Sequence, residues 1–141
     1  MRVMAGYSGT PLYRKLGIKA GMTMAVLDAP DHYWDLLRGR PEDVTLADLT
    51  TPPLDFIHVF VTARTGLTDR LRALRGSITM NGMVWVSWPK KASGVVTDVT
   101  GDVVRAAGLA AGLVDVKVCA VDDVWSGLKF VIRKADRPKP E

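Results

Sequence analysis

Cysteine is nearly missing from this sequence: Cys119 stands alone among 141 residues. A lone thiol forms no internal disulfide, so no covalent staple holds the fold, and a redox role would lack its resolving partner. The apolar run Val116 to Val121 around it reads as the setting of a buried, inert thiol. Histidine is equally scarce. His32 and His58 stand in no metal-ligand spacing and in no nucleophile–base–acid pattern, so the sequence points to no metal. Long hydrophobic runs are absent, and nothing approaches the roughly 20 apolar residues that span a bilayer. The segment Met1 to Tyr7 lacks the apolar core of a secretion signal. Together these absences argue for a cytoplasmic protein without a membrane partner. There is also no basic helix, no zinc spacing and no aromatic-rich RNA-binding strand, which argues against nucleic acid despite a pI near 9.4.

What is present is an ordinary globular composition, 48% hydrophobic and 24% charged. The net charge of +4 is unevenly placed. Residues 1–70 carry eight basic and eight acidic groups, and residues 71–141 carry eleven and seven. Part of that excess lies in the proline-broken end Arg133 to Glu141. The expected organisation is one α/β domain over residues 1–135 and a disordered basic tail over 136–141. Nothing in the sequence sets an oligomeric state.

Hydrophobic patterning and turn residues divide the chain. Thr10-Pro11 opens a short helix to Leu16, which Gly17 ends. Met22 to Asp28 has strand length. Asp31 is placed to cap a helix from His32 to Arg38. Val44 to Leu46 offers a short edge strand, and Leu54 to Val61 a near-continuous apolar one. Leu67, Leu71 and Leu74 recur at helical spacing within a helix from Thr68 to Leu74. Asn81-Gly82 reads as a turn into a strand from Met83 to Trp88. A helix from Thr97 or Thr100 to Ala111 precedes strands at Val114–Val121 and Leu128–Arg133, with Asp122 through Gly127 as their turn. The alternation β-α-β-α-β-α-β-β predicts a mainly parallel sheet with helices on both faces, a Rossmann-like three-layer sandwich ending in an antiparallel hairpin. Right-handed crossovers then give the order short edge, first strand, Leu54 strand, Met83 strand, final strand, Val114 strand.

In such sheets ligands sit outside the carboxyl ends of the strands. That rule gathers Arg64, Trp88, Lys90, Lys91, Asp123, Trp125 and Ser126 at one rim. Lys90 and Lys91 can hold a phosphate or carboxylate as point charges, or stand as solvated loop lysines. Trp88 and Trp125 can sandwich a planar ligand, or simply close the end of the core. Asp122-Asp123 resembles a general-base pair in composition, but it also suits a solvated turn. Ser8, beside Gly9 and a helix start, can contribute to an anion nest. The catalytic residues stay unassigned. His58 reads as a satisfied core histidine, Trp85 as core, and His32 as a helix-start residue within reach of the sheet's switch point.

The segments Lys15 to Met22 and Gly82 to Val86, together with the terminal hairpin, resemble the Rossmann-like class I methyltransferases. The resemblance breaks after the first strand. There those enzymes have a glycine-rich turn, and this chain reads Leu27-Asp28-Ala29-Pro30-Asp31-His32 with no glycine until Gly39. It is also short by about one strand–helix unit. The sequence therefore points to no cofactor. A second resemblance covers most of the chain. Tyr7 to Leu12, Lys15 to Ile18, Trp88 to Gly94 and Asp115 to Phe130 resemble the bacterial DUF3052 family, whose function is unknown, and imply a small intracellular bacterial protein. The expected function is binding of an anionic small molecule at the rim. A reduced methyltransferase-like enzyme and a regulatory or interaction module are the alternatives.

Overall fold

The computed structural model describes residues 9–51 and 53–137. Four helices are α1 (Leu12–Leu16), α2 (Tyr33–Leu36), α3 (Leu67–Arg75) and α4 (Gly101–Ala110). Six strands are β1 (Thr23–Leu27), β2 (Thr45–Leu46), β3 (Leu54–Phe60), β4 (Ile78–Pro89), β5 (Leu113–Ala120) and β6 (Trp125–Ile132). They form one sheet in the order β2-β1-β3-β4-β6-β5, which is the order expected from the sequence. β1 to β4 pair in parallel, and β6 is antiparallel to both of its neighbours. No described helix is long and apolar enough to cross a membrane.

The core divides between the two faces of the sheet. On one face, Leu67, Leu71 and Leu74 of α3 and Val104 and Ala107 of α4 pack on Ile57, Val59, Val84, Val86, Leu128 and Phe130. On the other, Leu16 of α1 and Tyr33 beside Leu37 pack on Met24, Phe56, Phe60, Trp85 and Cys119. The period-2 alternation along β4 sends Val84 and Val86 to one face and Met83 and Trp85 to the other. α4 lies closest at Gly108, where an added Cβ would fall 2.1 Å from Cε1 of Phe130.

Several boundaries differ from the sequence reading. Asn81-Gly82 is not a turn. β4 starts at Ile78 and runs through it as a wide bulge, between the pairs Leu54–Ile78 and Phe56–Met83. Gly82 is needed there because a Cβ would meet Ile78 Cβ at 2.9 Å and the Leu54 carbonyl at 3.0 Å. Ser126-Gly127 belongs to β6 and not to the turn, since Trp125 already pairs with Pro89. Pro11 takes the cap position of α1 in place of Thr10, and His32 that of α2 in place of Asp31. The Arg137 guanidinium donates to the Ile132 carbonyl, and Asp136 lies 3.6 Å from Arg75.

Candidate functional site

At the carboxyl end of β1 the chain turns through Asp28, a non-glycine residue in the left-handed region at φ 58°. Arg70 of α3 donates to its carboxylate at 2.9 Å. Ala29-Pro30 then leads into α2, and His32 Nε2 meets Asp122 Oδ2 at 2.8 Å. The other oxygen of Asp122 accepts the amides of Val124 and Trp125, each at 2.8 Å. Burial raises the Asp122 carboxyl, but the bond from His32 and the two amides outweigh it and hold the group below the usual carboxylate range. An ionised Asp122 only accepts, so His32 donates. This bond ties the start of α2 to the β5–β6 turn. It bridges the rim across the carboxyl ends of β3 and β4, which lie between.

Beneath it runs a closed polar line. Tyr33 Oη lies 2.8 Å from His58 Nδ1, and His58 Nε2 lies 2.7 Å from Ser87 Oγ. Burial pushes the imidazole down to about 3 and raises the Tyr33 hydroxyl, so both are neutral. Either tautomer is satisfied, because hydroxyls on both sides donate or accept. His58 stacks on Phe60 at 4.4 Å, and the Phe60 ring meets Trp125 edge-on at 5.0 Å.

The sequence-predicted site residues divide between the faces. The Lys90 amide donates to the Val124 carbonyl at 2.6 Å, beside the Pro89–Trp125 pair. Lys90 is partly buried as a residue, and its charge lies close enough to act on the Cys119 thiol, which is on Trp125's face. Burial, the larger effect, raises that thiol. Asp123 is exposed in the adjoining turn. Trp88 faces the other way, against Gly101 of α4, and Ser126 is its cross-strand partner on that side. The two tryptophans therefore form no sandwich; β4 and β6 separate them. Arg64 is exposed, with its amide donating to Asp98 at 2.9 Å. Lys91 is exposed in the 3-10 turn Lys91–Ser93. Ser8 lies outside the described residues. The rim thus brings together Lys90, Trp125, Asp123 and the His32–Asp122 pair.

Sequence reasoning missed a concavity away from this rim. A cleft of about 580 Å³ opens beside β2, lined by Met24, Trp34, Arg40, Glu42 and Val44. The Arg40 guanidinium sits 4.9 Å from the Trp34 ring centroid. The signal was the turn Gly39-Arg40-Pro41 after a Trp-bearing helix, which reads first as a loop. Among the described residues no three His, Cys, Asp or Glu side chains gather as a metal site.

The fold is that of Rossmann-like methyltransferases. Precorrin-6y C5,15-methyltransferase from Geobacter metallireducens superposes with a TM-score of 0.54 at 12% identity, covering 86% of this chain and 85% of that one. Magnesium protoporphyrin IX methyltransferase from Synechocystis, with bound SAH, gives 0.55 at 9%, covering 86% and 78%. The pyocyanin biosynthetic protein PhzM gives 0.58 at 13%, and the chain spans 86% of its own length but 53% of that one. No protein-family model matches the chain, DUF3052 included, and no curated protein matches it in sequence.

Proposed function

We propose that this protein binds an anionic small molecule at the carboxyl-end rim of its sheet, on the face shared by Lys90 and Trp125. The observation that carries this reading is the half-buried Lys90. It makes no ion pair with any carboxylate among the described residues and stands next to Trp125, a partly buried residue. A charged hydrogen bond from Lys90 together with an apolar wall suits a phosphate- or carboxylate-bearing ligand. A thermal-shift screen with nucleotides, sugar phosphates and carboxylates identifies the ligand by mass action. Lys90→Ala should then weaken it by about 1.5–3 kcal/mol while the fold keeps its stability. Unchanged affinity would remove Lys90 from the site.

Solved neighbours that carry SAH favour a second reading, a methyltransferase-like catalyst. The residues here do not fit that cofactor in the usual mode. Close backbone approach after β1 needs glycine, and this turn carries the side chains of Asp28, Asp31 and His32 and the ring of Pro30. Asp28 and His32 are already engaged with Arg70 and Asp122.

A further inference from the structure

Four lysines stand around the sheet face that α1 covers, Lys15 among them because its charge acts with that of Lys117 on the Cys119 thiol. The β5–β6 register sets Lys117 directly opposite Lys129. Directly opposed side chains of an antiparallel pair project to one face, and like charges there repel. Lys117 Nζ donates to the Lys15 carbonyl at the end of α1, at 2.9 Å. Lys129 Nζ reaches under Gly17, 3.9 Å from where a Cβ would stand. Burial pushes the Lys129 ammonium down, and the nearby charges of Lys117 and Lys19 push it further. The five ion pairs of the described residues all use arginine or His32, so no carboxylate offsets any of these lysines. Capping of α1 accounts for Lys117 alone. It leaves the repulsion among Lys129, Lys19 and Lys117 without a structural return.

We propose that Lys15, Lys19, Lys117 and Lys129 form a site for a compact polyanion: a diphosphate or triphosphate group, on a nucleotide or as free inorganic polyphosphate. Lysine is a point-charge phosphate ligand, and the partial burial of Lys129 strengthens its contact. Compactness argues for clustered phosphates over an extended strand, which proteins grip with a cationic lane interleaved with aromatic stacking platforms. Here Gly17 lies against Lys129 and the Cys119–Gly127 pair is beside the lysine pair on the ladder, while Trp85, opposite Lys129, is fully buried and offers no stacking face. This site adjoins the rim, because Lys15, Lys117 and Lys90 all act on the Cys119 thiol, but its four lysines do not include Lys90.

Inorganic tripolyphosphate, titrated into the full chain at low salt by calorimetry, is the direct probe. Saturable 1:1 binding that weakens with added salt is expected, with orthophosphate weaker by about tenfold or more. A nucleoside triphosphate arm separates the two sources: tighter binding than tripolyphosphate assigns the nucleotide, and equal or weaker binding the free polyphosphate. The Lys117→Met/Lys129→Met variant should lose binding by about tenfold or more, the worth of a charged contact. Its ligand-free Tm should hold or rise, because the repulsion is gone. Lys19→Ala, at an exposed position, provides a second variant with an unperturbed fold and should weaken binding several-fold. Absence of saturable tripolyphosphate binding overturns the proposal, as does unchanged affinity in Lys19→Ala or in a folded double variant. A single-stranded oligonucleotide that binds more tightly and resists displacement by tripolyphosphate also overturns it, in favour of nucleic acid.

Discussion

His58 shows how one residue's surroundings turn into a measurable pH dependence. The fold holds its imidazole neutral, near a pKa of about 3, whereas an ordinary histidine protonates near 6.5. The unfolded chain therefore binds the extra proton first. The contribution is fully present above the unfolded value and is lost as pH falls from about 6.5 toward 3, at up to about 1.4 kcal/mol per pH unit. Urea midpoints taken from neutral pH downward should fall through that window, and His58→Gln should flatten the slope. A flat wild-type profile would show that the ring gains its proton inside the fold. Asp122 acts in a lower window: its depressed carboxyl is lost only as pH drops below the ordinary carboxylate value of 3.8. Gly108 is a second single-residue case. The 2.1 Å contact that a methyl group would make with the buried Phe130 ring leaves nothing flexible to yield. Gly108→Ala should cost about 3 kcal/mol, the upper end of ordinary overpacking, despite its better helix propensity. Chemical denaturation measures this, and a stabilised variant would mean that α4 can slide on the sheet. The sequence shows a glycine in mid-helix but not the ring beneath it, because α4 and β6 are brought together only by the sheet order.

Among elements, α4 carries the clearest local signal. Thr100 has extended backbone, and its hydroxyl accepts the Val103 amide at 3.2 Å. Thr100→Ala should destabilise by about 1 kcal/mol through loss of the cap, whereas Thr100→Ser should be nearly neutral. Equal melting of the two variants would show that the bond contributes nothing. The strands and their order were legible because apolar runs, a hairpin-length connection and crossover handedness leave few alternatives. β4 was misjudged because Asn-Gly is the strongest short turn signal. At this position the glycine instead admits the Leu54 carbonyl and the Ile78 side chain within a bulge. The facing of Trp88 and Trp125 was hidden for a related reason. Both lie at strand ends on one rim, but only the pairing of Trp88 with Ser126 shows that they stand on opposite faces. The lysine cluster was illegible because its pairing depends on the bulge between Asp115 and Lys117, which shifts the register of β5.

At the scale of the whole molecule, the sheet follows the methyltransferase plan while the rim is crossed by its own side chains. Calorimetry with S-adenosylmethionine should show absent or weak binding, and a dissociation constant in the micromolar range would overturn that expectation. One feature of the plan governs how the chain can be built. β6 is made last, yet it lies between β4 and β5, and β5 touches the sheet only through it. Until Trp125 to Ile132 have left the ribosome, β4 shows an open apolar edge and β5 has no partner. Two strand edges open at once invite pairing with other chains. The nascent protein thus carries its greatest aggregation hazard just before β6 emerges, and a chain stopped short of Trp125 should accumulate as insoluble material rather than as a smaller soluble sheet.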